Sequence, residues 1–155
     1  MQITLIAIGH KIPAWAQSAT NEYLNRLPPE WHVTVKTPRA VDNASAPIER
    51  VLATEGERIL AAVPDDATLV ALDERGKDLA TDAFARQLAR WRDDSAAVAF
   101  AIGGANGLAP EVKSRARLLL RLSSLTLPHA LARVLLAEQL YRAWSLLAGH
   151  PYHRA

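Results

Sequence analysis

Short, nearly continuous apolar runs at Ile3 to Ile8, Thr68 to Leu72, Ala96 to Ile102 and Leu118 to Leu122 constrain this chain more than any other feature. Such runs suit strands covered on both faces better than strands half open to water. Trp31, Val33 and Val35 alternate with polar residues and add one more strand. The segments between repeat at helical spacing. Pro13 is placed to open a helix carrying Trp15, Ala19, Tyr23, Leu24 and Leu27, which Pro28-Pro29 stops. Pro47 opens a second, with Ile48, Val51, Leu52, Ile59, Leu60 and Val63 on one stripe. Thr81 can cap a third, Pro110 opens a short one through Ala116, and the longest runs from Ala130 to Ala148, where Gly149 ends it. Alternating strand and helix patterns predict an α/β fold, a mainly parallel sheet with helices on both faces.

At 155 residues the chain is one domain long, 1–155, and long enough to bury about 70% of its unfolded surface. No apolar run approaches the roughly 18 residues of a membrane span. The N-terminus enters a strand at once, without a secretory leader, and cysteine is absent, which excludes disulfides and thiolate chemistry. The expectation is a cytoplasmic protein with no membrane partner. Residues 111–155 hold seven basic side chains against two acidic, whereas residues 1–110 hold eleven against fourteen. This asymmetry suggests a polyanionic partner for one face.

In open parallel sheets ligands sit beyond the carboxyl ends of the strands. Here those ends supply a polar turn after Leu72 (Asp73 to Lys77), the glycine turn Gly103 to Gly107, and Ser123 to His129. Gly103 and Gly104 would let a ligand approach backbone closely, although a ligand-free strand-to-helix turn would use the same residues. The spacing fails the dinucleotide fingerprint, and no Walker lysine follows. Leu122-Ser123-Ser124-Leu125-Thr126-Leu127 could wall an apolar pocket and offer backbone groups to a flat heterocycle such as adenine; a buried strand leading into a helix is the plainer reading. The five histidines lack metal-site spacing, so no metal is expected. His129 at a helix start and His153 in the tail could contact phosphate or act as a general base. Glu138 and Arg142 can pair as an i,i+4 couple, or Arg142 can join Arg133 and Arg154 in a phosphate-binding strip.

The sequence resembles the RlmH (YbeA-like) family of SPOUT methyltransferases along essentially its whole length. The resemblance is carried by Ala7-Ile8-Gly9 with Lys11, Glu22-Tyr23, Glu55-Gly56-Glu57, Leu72-Asp73 with Gly76-Lys77, Ile102-Gly103-Gly104 with Gly107-Leu108, Leu125 to His129, Arg133-Val134, Glu138 to Ala143, and Tyr152-His153. It implies a C-terminal trefoil knot, a homodimer, S-adenosyl-L-methionine as methyl donor, and N3-methylation of a pseudouridine in 23S rRNA within the assembled ribosome. By the same resemblance Leu72, Gly103, Gly104 and Leu122, Ser123, Ser124, Leu125, Thr126 and Leu127 hold the cofactor. The resemblance also sets Arg142, Tyr152, His153 and Arg154 near the target base, reaching the partner subunit's cofactor. Because N3 must lose its proton before it attacks, His129 or His153 is the candidate base. The segment Arg39 to Ser45 departs from the glycine- and lysine-rich loop frequent in relatives. Two rival readings are a non-catalytic ribosome-binding or assembly factor and a methyltransferase acting on another RNA.

Overall fold

The computed structural model describes residues 1–42 and 45–154. Five strands, β1 (Gln2–Ala7), β2 (His32–Lys36), β3 (Ala67–Asp78), β4 (Ala97–Ile102) and β5 (Leu118–Arg121), form one sheet in the order β2-β1-β4-β3-β5. Every neighbouring pair is parallel. Helices α1 (Ala14–Asn25), α2 (Ile48–Ala62), α3 (Thr81–Asp93), α4 (Pro110–Arg115) and α5 (His129–Ala148) connect or follow the strands, and a 3-10 turn, Pro151–Arg154, ends the described chain.

The apolar runs explain the layering. Because side chains alternate along a strand, each run feeds two cores at once. Ile3, Leu5, Val70, Val98 and Phe100 pack on one face with Phe84 and Leu88 of α3 and Leu136 and Leu140 of α5. Ile6, Ile8, Leu69, Ala71, Ala99 and Ala101 pack on the other with Ile59 of α2 and Val112 of α4. Tyr23 and Leu24 place α1 with α3 and α5. The α/β class and the two covered faces are therefore as the sequence predicts.

Three local readings change. The polar stretch after Leu72 is not a turn: β3 continues to Asp78. Leu120 is the ladder partner of both Leu72 and Lys77, so residues 73–76 form an irregularity within the strand, and Asp78 resumes pairing opposite Arg121. Gly76 permits this, since a Cβ there would lie 2.6 Å from the Leu120 carbonyl carbon and 2.8 Å from the Arg121 nitrogen. Arg121 closes the segment by donating from Nε and Nη2 to the Asp78 carboxylate. Thr81 does not cap α3. Ala80 holds that position, and the Thr81 hydroxyl instead donates to Gln139 Oε1 of α5 at 2.9 Å. The tail, where no periodic pattern marks an element, folds into a 3-10 turn. Gly149 does end α5, at φ +67°. The loop expected between Pro38 and Ala46 is irregular where described, Asn43 and Ala44 lying outside the described residues. No helix is long and apolar enough to cross a membrane among the described residues.

Candidate active site

The irregularity of β3 and the carboxyl ends of β4 and β5 meet at a cavity of about 410 Å³. Its walls bring together Leu72, Gly103, Gly104, Leu122, Ser123, Leu125, Thr126, Leu127 and His129. Three segments far apart in sequence thus converge, as expected for an open parallel sheet. Ser124 belongs to the same loop but is exposed and outside the lining.

The glycine turn is built for itself before it is built for a ligand. A Cβ on Gly103 would lie 2.4 Å from the Gly107 carbonyl oxygen, and one on Gly104 would press on Ile8 and Glu55. Gly107 has φ +81° and donates its N–H to the Gly104 carbonyl at 3.1 Å. The space freed by the missing side chains is therefore filled by the turn and by β1 and α2 neighbours. The folded turn then presents residues 103–107 to the cavity.

The leucine-rich loop has the opposite character. From Ser123 to Leu127 its backbone takes part in one hydrogen bond among the described residues, the Leu125 N–H donating to Ser123 Oγ at 2.9 Å. Unpaired backbone groups are costly when dry, so a loop that leaves them free is kept wet or is completed by a ligand. Leu125 is 75% exposed and lines the cavity. Pro128 then starts α5 and sets His129 at the cavity rim.

Sequence reasoning did not single out the ion pair on the cavity wall. Lys113 Nζ of α4 lies 2.6 Å from Asp73 Oδ2, and Asp73 Oδ1 accepts the Arg75 N–H at 2.8 Å. Burial alone would raise the Asp73 pKa, but the Lys113 ammonium and the Arg75 N–H together hold it below the ordinary carboxylate value. Asp73 is thus a fixed anion beside Glu74 and Arg121 in the lining. A signal existed, since Asp73 directly follows Leu72, where the apolar run of β3 stops beside the site.

The tail residues form a second cluster. Arg142 Nε donates to Glu138 Oε1 at 2.8 Å, and the Tyr152 hydroxyl donates to the same oxygen at 3.1 Å. Arg142 also stacks over the Tyr152 ring, 4.9 Å from its centroid, which packs 4.7 Å from Tyr141. Burial first, then the Tyr23 hydroxyl and the Glu138 carboxylate, push the Tyr152 phenol well above its ordinary value, so it remains a donor at neutral pH. His153 Nδ1 is buried without a hydrogen-bond partner, and Arg154 is exposed. His129 and Arg142 are thirteen residues apart on one helix, about 20 Å along its axis at 1.5 Å per residue. Within one chain, His129 therefore joins the cavity, whereas Arg142 is held far from it.

Arg133 does not join a surface strip. It is 3% exposed, its Nε and Nη1 lack partners, and burial lowers its pKa. An unsatisfied buried guanidinium is destabilising, and apolar side chains of similar volume relieve such costs. Arg133→Met should raise stability by about 1 to 3 kcal/mol in urea unfolding. A fall in the urea midpoint would show that the guanidinium is satisfied in the folded protein.

No group of three or more His, Cys, Asp or Glu side chains suited to a metal ion occurs among the described residues. The family model described as "Predicted SPOUT methyltransferase" matches residues 1–153. Proteins named "Ribosomal RNA large subunit methyltransferase H" from Burkholderia mallei (strain SAVP1) and Burkholderia pseudomallei (strain K96243) are each 53% identical over 156 residues, covering 100% of this chain and 100% of their own. A crystal structure of a Ribosomal RNA small subunit methyltransferase E from Neisseria gonorrhoeae bound to S-adenosyl methionine aligns with TM-score 0.47 and 17% identity over 95% of this chain and 66% of that one.

Proposed function

The chain belongs to the SPOUT methyltransferase family, and on that premise we propose that it methylates N3 of a pseudouridine in the 23S rRNA of the assembled ribosome, as a homodimer using S-adenosyl-L-methionine. The name borne by relatives 53% identical over their full length supports a large-subunit rRNA substrate. The choice of pseudouridine N3 follows what the whole-chain resemblance to the RlmH family implies.

The observation that carries the cofactor assignment is the Ser123 to Leu127 loop, apolar in its walls and nearly free of internal backbone hydrogen bonds. Ligand pockets combine apolar walls with a few placed polar groups in about 300–1,000 Å³, and this cavity of about 410 Å³ fits that description. Leu72, Leu122, Leu125 and Leu127 would flank the adenine, with loop N–H and C=O groups bonding its edge. Gly103 and Gly104 would lie against the remainder, with Ser123, Ser124 and Thr126 completing the loop. When bound, S-adenosylmethionine supplies an electrophilic methyl on a sulfonium.

The residues of the chain then have three tasks. The cavity walls hold the methyl in line with the target nitrogen, a positioning effect. A histidine, His129 or His153, would accept the proton that N3 loses before it attacks the methyl group held beside it. Arg142, Tyr152, His153 and Arg154 of a second copy would meet the cavity of the first. The outer face of α5 supports such pairing: Leu131, Val134 and Leu135 are only half-buried there and lie outside the core of their own chain.

Single-turnover transfer to ribosomes lacking the modification tests this chemistry. Alanine at the histidine that serves as base should lower the single-turnover rate by about 100-fold or more. Unchanged rates for both His129→Ala and His153→Ala would overturn the base assignment.

A further inference from the structure

We propose that a groove between α3 and the β5 edge is a docking subsite for the rRNA phosphodiester backbone, an inference that deepens the reading above and rests on it. The groove encloses about 220 Å³ and is lined by Lys77 of β3, Leu118 of β5, and Arg86, Gln87 and Arg90 of α3. No carboxylate is part of this lining. Arg86 and Arg90 stand one helical turn apart on the same face. Lys77 and Arg90 are exposed and have no ion-pair partner among the described residues. Arg86 pairs with Asp82 at 2.8 Å, but both side chains are more than half exposed. Such a pair contributes little and is readily exchanged for a phosphate.

The location favours a polymer over a small anion. Leu118 lines the groove and Leu120 lines the cavity. They are two residues apart on β5, about 7 Å. Lys77 is the ladder partner of Leu120 itself. Cations at Lys77, Arg86 and Arg90 therefore lead away from the cavity rim along one edge of the sheet. Phosphates flanking a nucleotide held at the cavity would meet this track in succession, while Leu118, Leu79 and Ala83 give the sugar edge an apolar floor. The groove has no buried polar group that would orient a small isolated anion.

The test is the double variant Lys77→Gln with Arg90→Gln, both exposed and unpaired, assayed on ribosomes lacking the modification. KM for ribosomes should rise about tenfold, and its log–log salt slope should shrink by about 1.4, at roughly 0.7 per phosphate contact on a single strand. The turnover rate and S-adenosylmethionine affinity should stay as in the unaltered protein, and Arg86→Glu should raise KM further. Transfer with unchanged KM and salt slope would overturn the subsite alone. Absence of transfer by the unaltered protein would overturn the functional reading and the subsite together.

Discussion

Mixing two inactive variants should restore methyl transfer to about a quarter of the unaltered rate. Leu125→Glu places a carboxylate in the cavity wall at an exposed position, and Arg154→Ala removes an exposed tail cation. Each alone should lower transfer by about 100-fold, the scale on which misplacement of reacting groups acts. In a mixed dimer whose sites combine the cavity of one chain with the tail of the other, one of the two sites carries both defects and the other carries neither. Random exchange makes about half the dimers mixed, each with one intact site of two, hence the quarter. A site assembled within one chain leaves both sites of the mixed dimer damaged and gives no recovery. The separation of about 20 Å between His129 and Arg142 along α5 is the reason to expect recovery.

The second large effect is on folding. Gly76→Ala and Gly103→Ala should each cost about 3 kcal/mol or more in urea unfolding, because neither Cβ has anywhere to go. At Gly76 the obstacle is the backbone of Leu119, Leu120 and Arg121; at Gly103 it is the backbone of Gly107, 2.4 Å away. Backbone cannot rotate aside as a side chain can. Gly149→Ala is the control: φ is +67° but nothing lies within 4 Å of its Cβ, so about 1 kcal/mol of backbone strain is the whole cost. Equal losses at all three positions would contradict the steric argument.

The sheet was legible because burial on both faces leaves an unmistakable pattern, and Ile3 to Ile8 and Ala96 to Ile102 both became central strands. The extension of β3 was not, since Asp73-Glu74-Arg75-Gly76 has the composition of a turn and of a strand irregularity alike. Convergence of the three loops could be read from the alternation of strands and helices and the carboxyl-end rule. The Asp73–Lys113 pair could not, because it joins residues forty positions apart through the packing of α4 beneath the sheet. Arg133 misled for a related reason: an arginine on a helix reads as surface, and only the packed core shows it buried. The Glu138–Arg142 pair was visible from its spacing, but the Tyr152 hydroxyl sharing the same carboxylate oxygen was not.

The most direct test of the central claim is methyl transfer from labelled S-adenosylmethionine to ribosomes lacking the modification, with the rRNA digested to nucleosides and analysed by mass spectrometry. Label on N3 of a single 23S pseudouridine is the expected result. Label on another nucleotide, or none from a folded dimer that binds the cofactor, would contradict it.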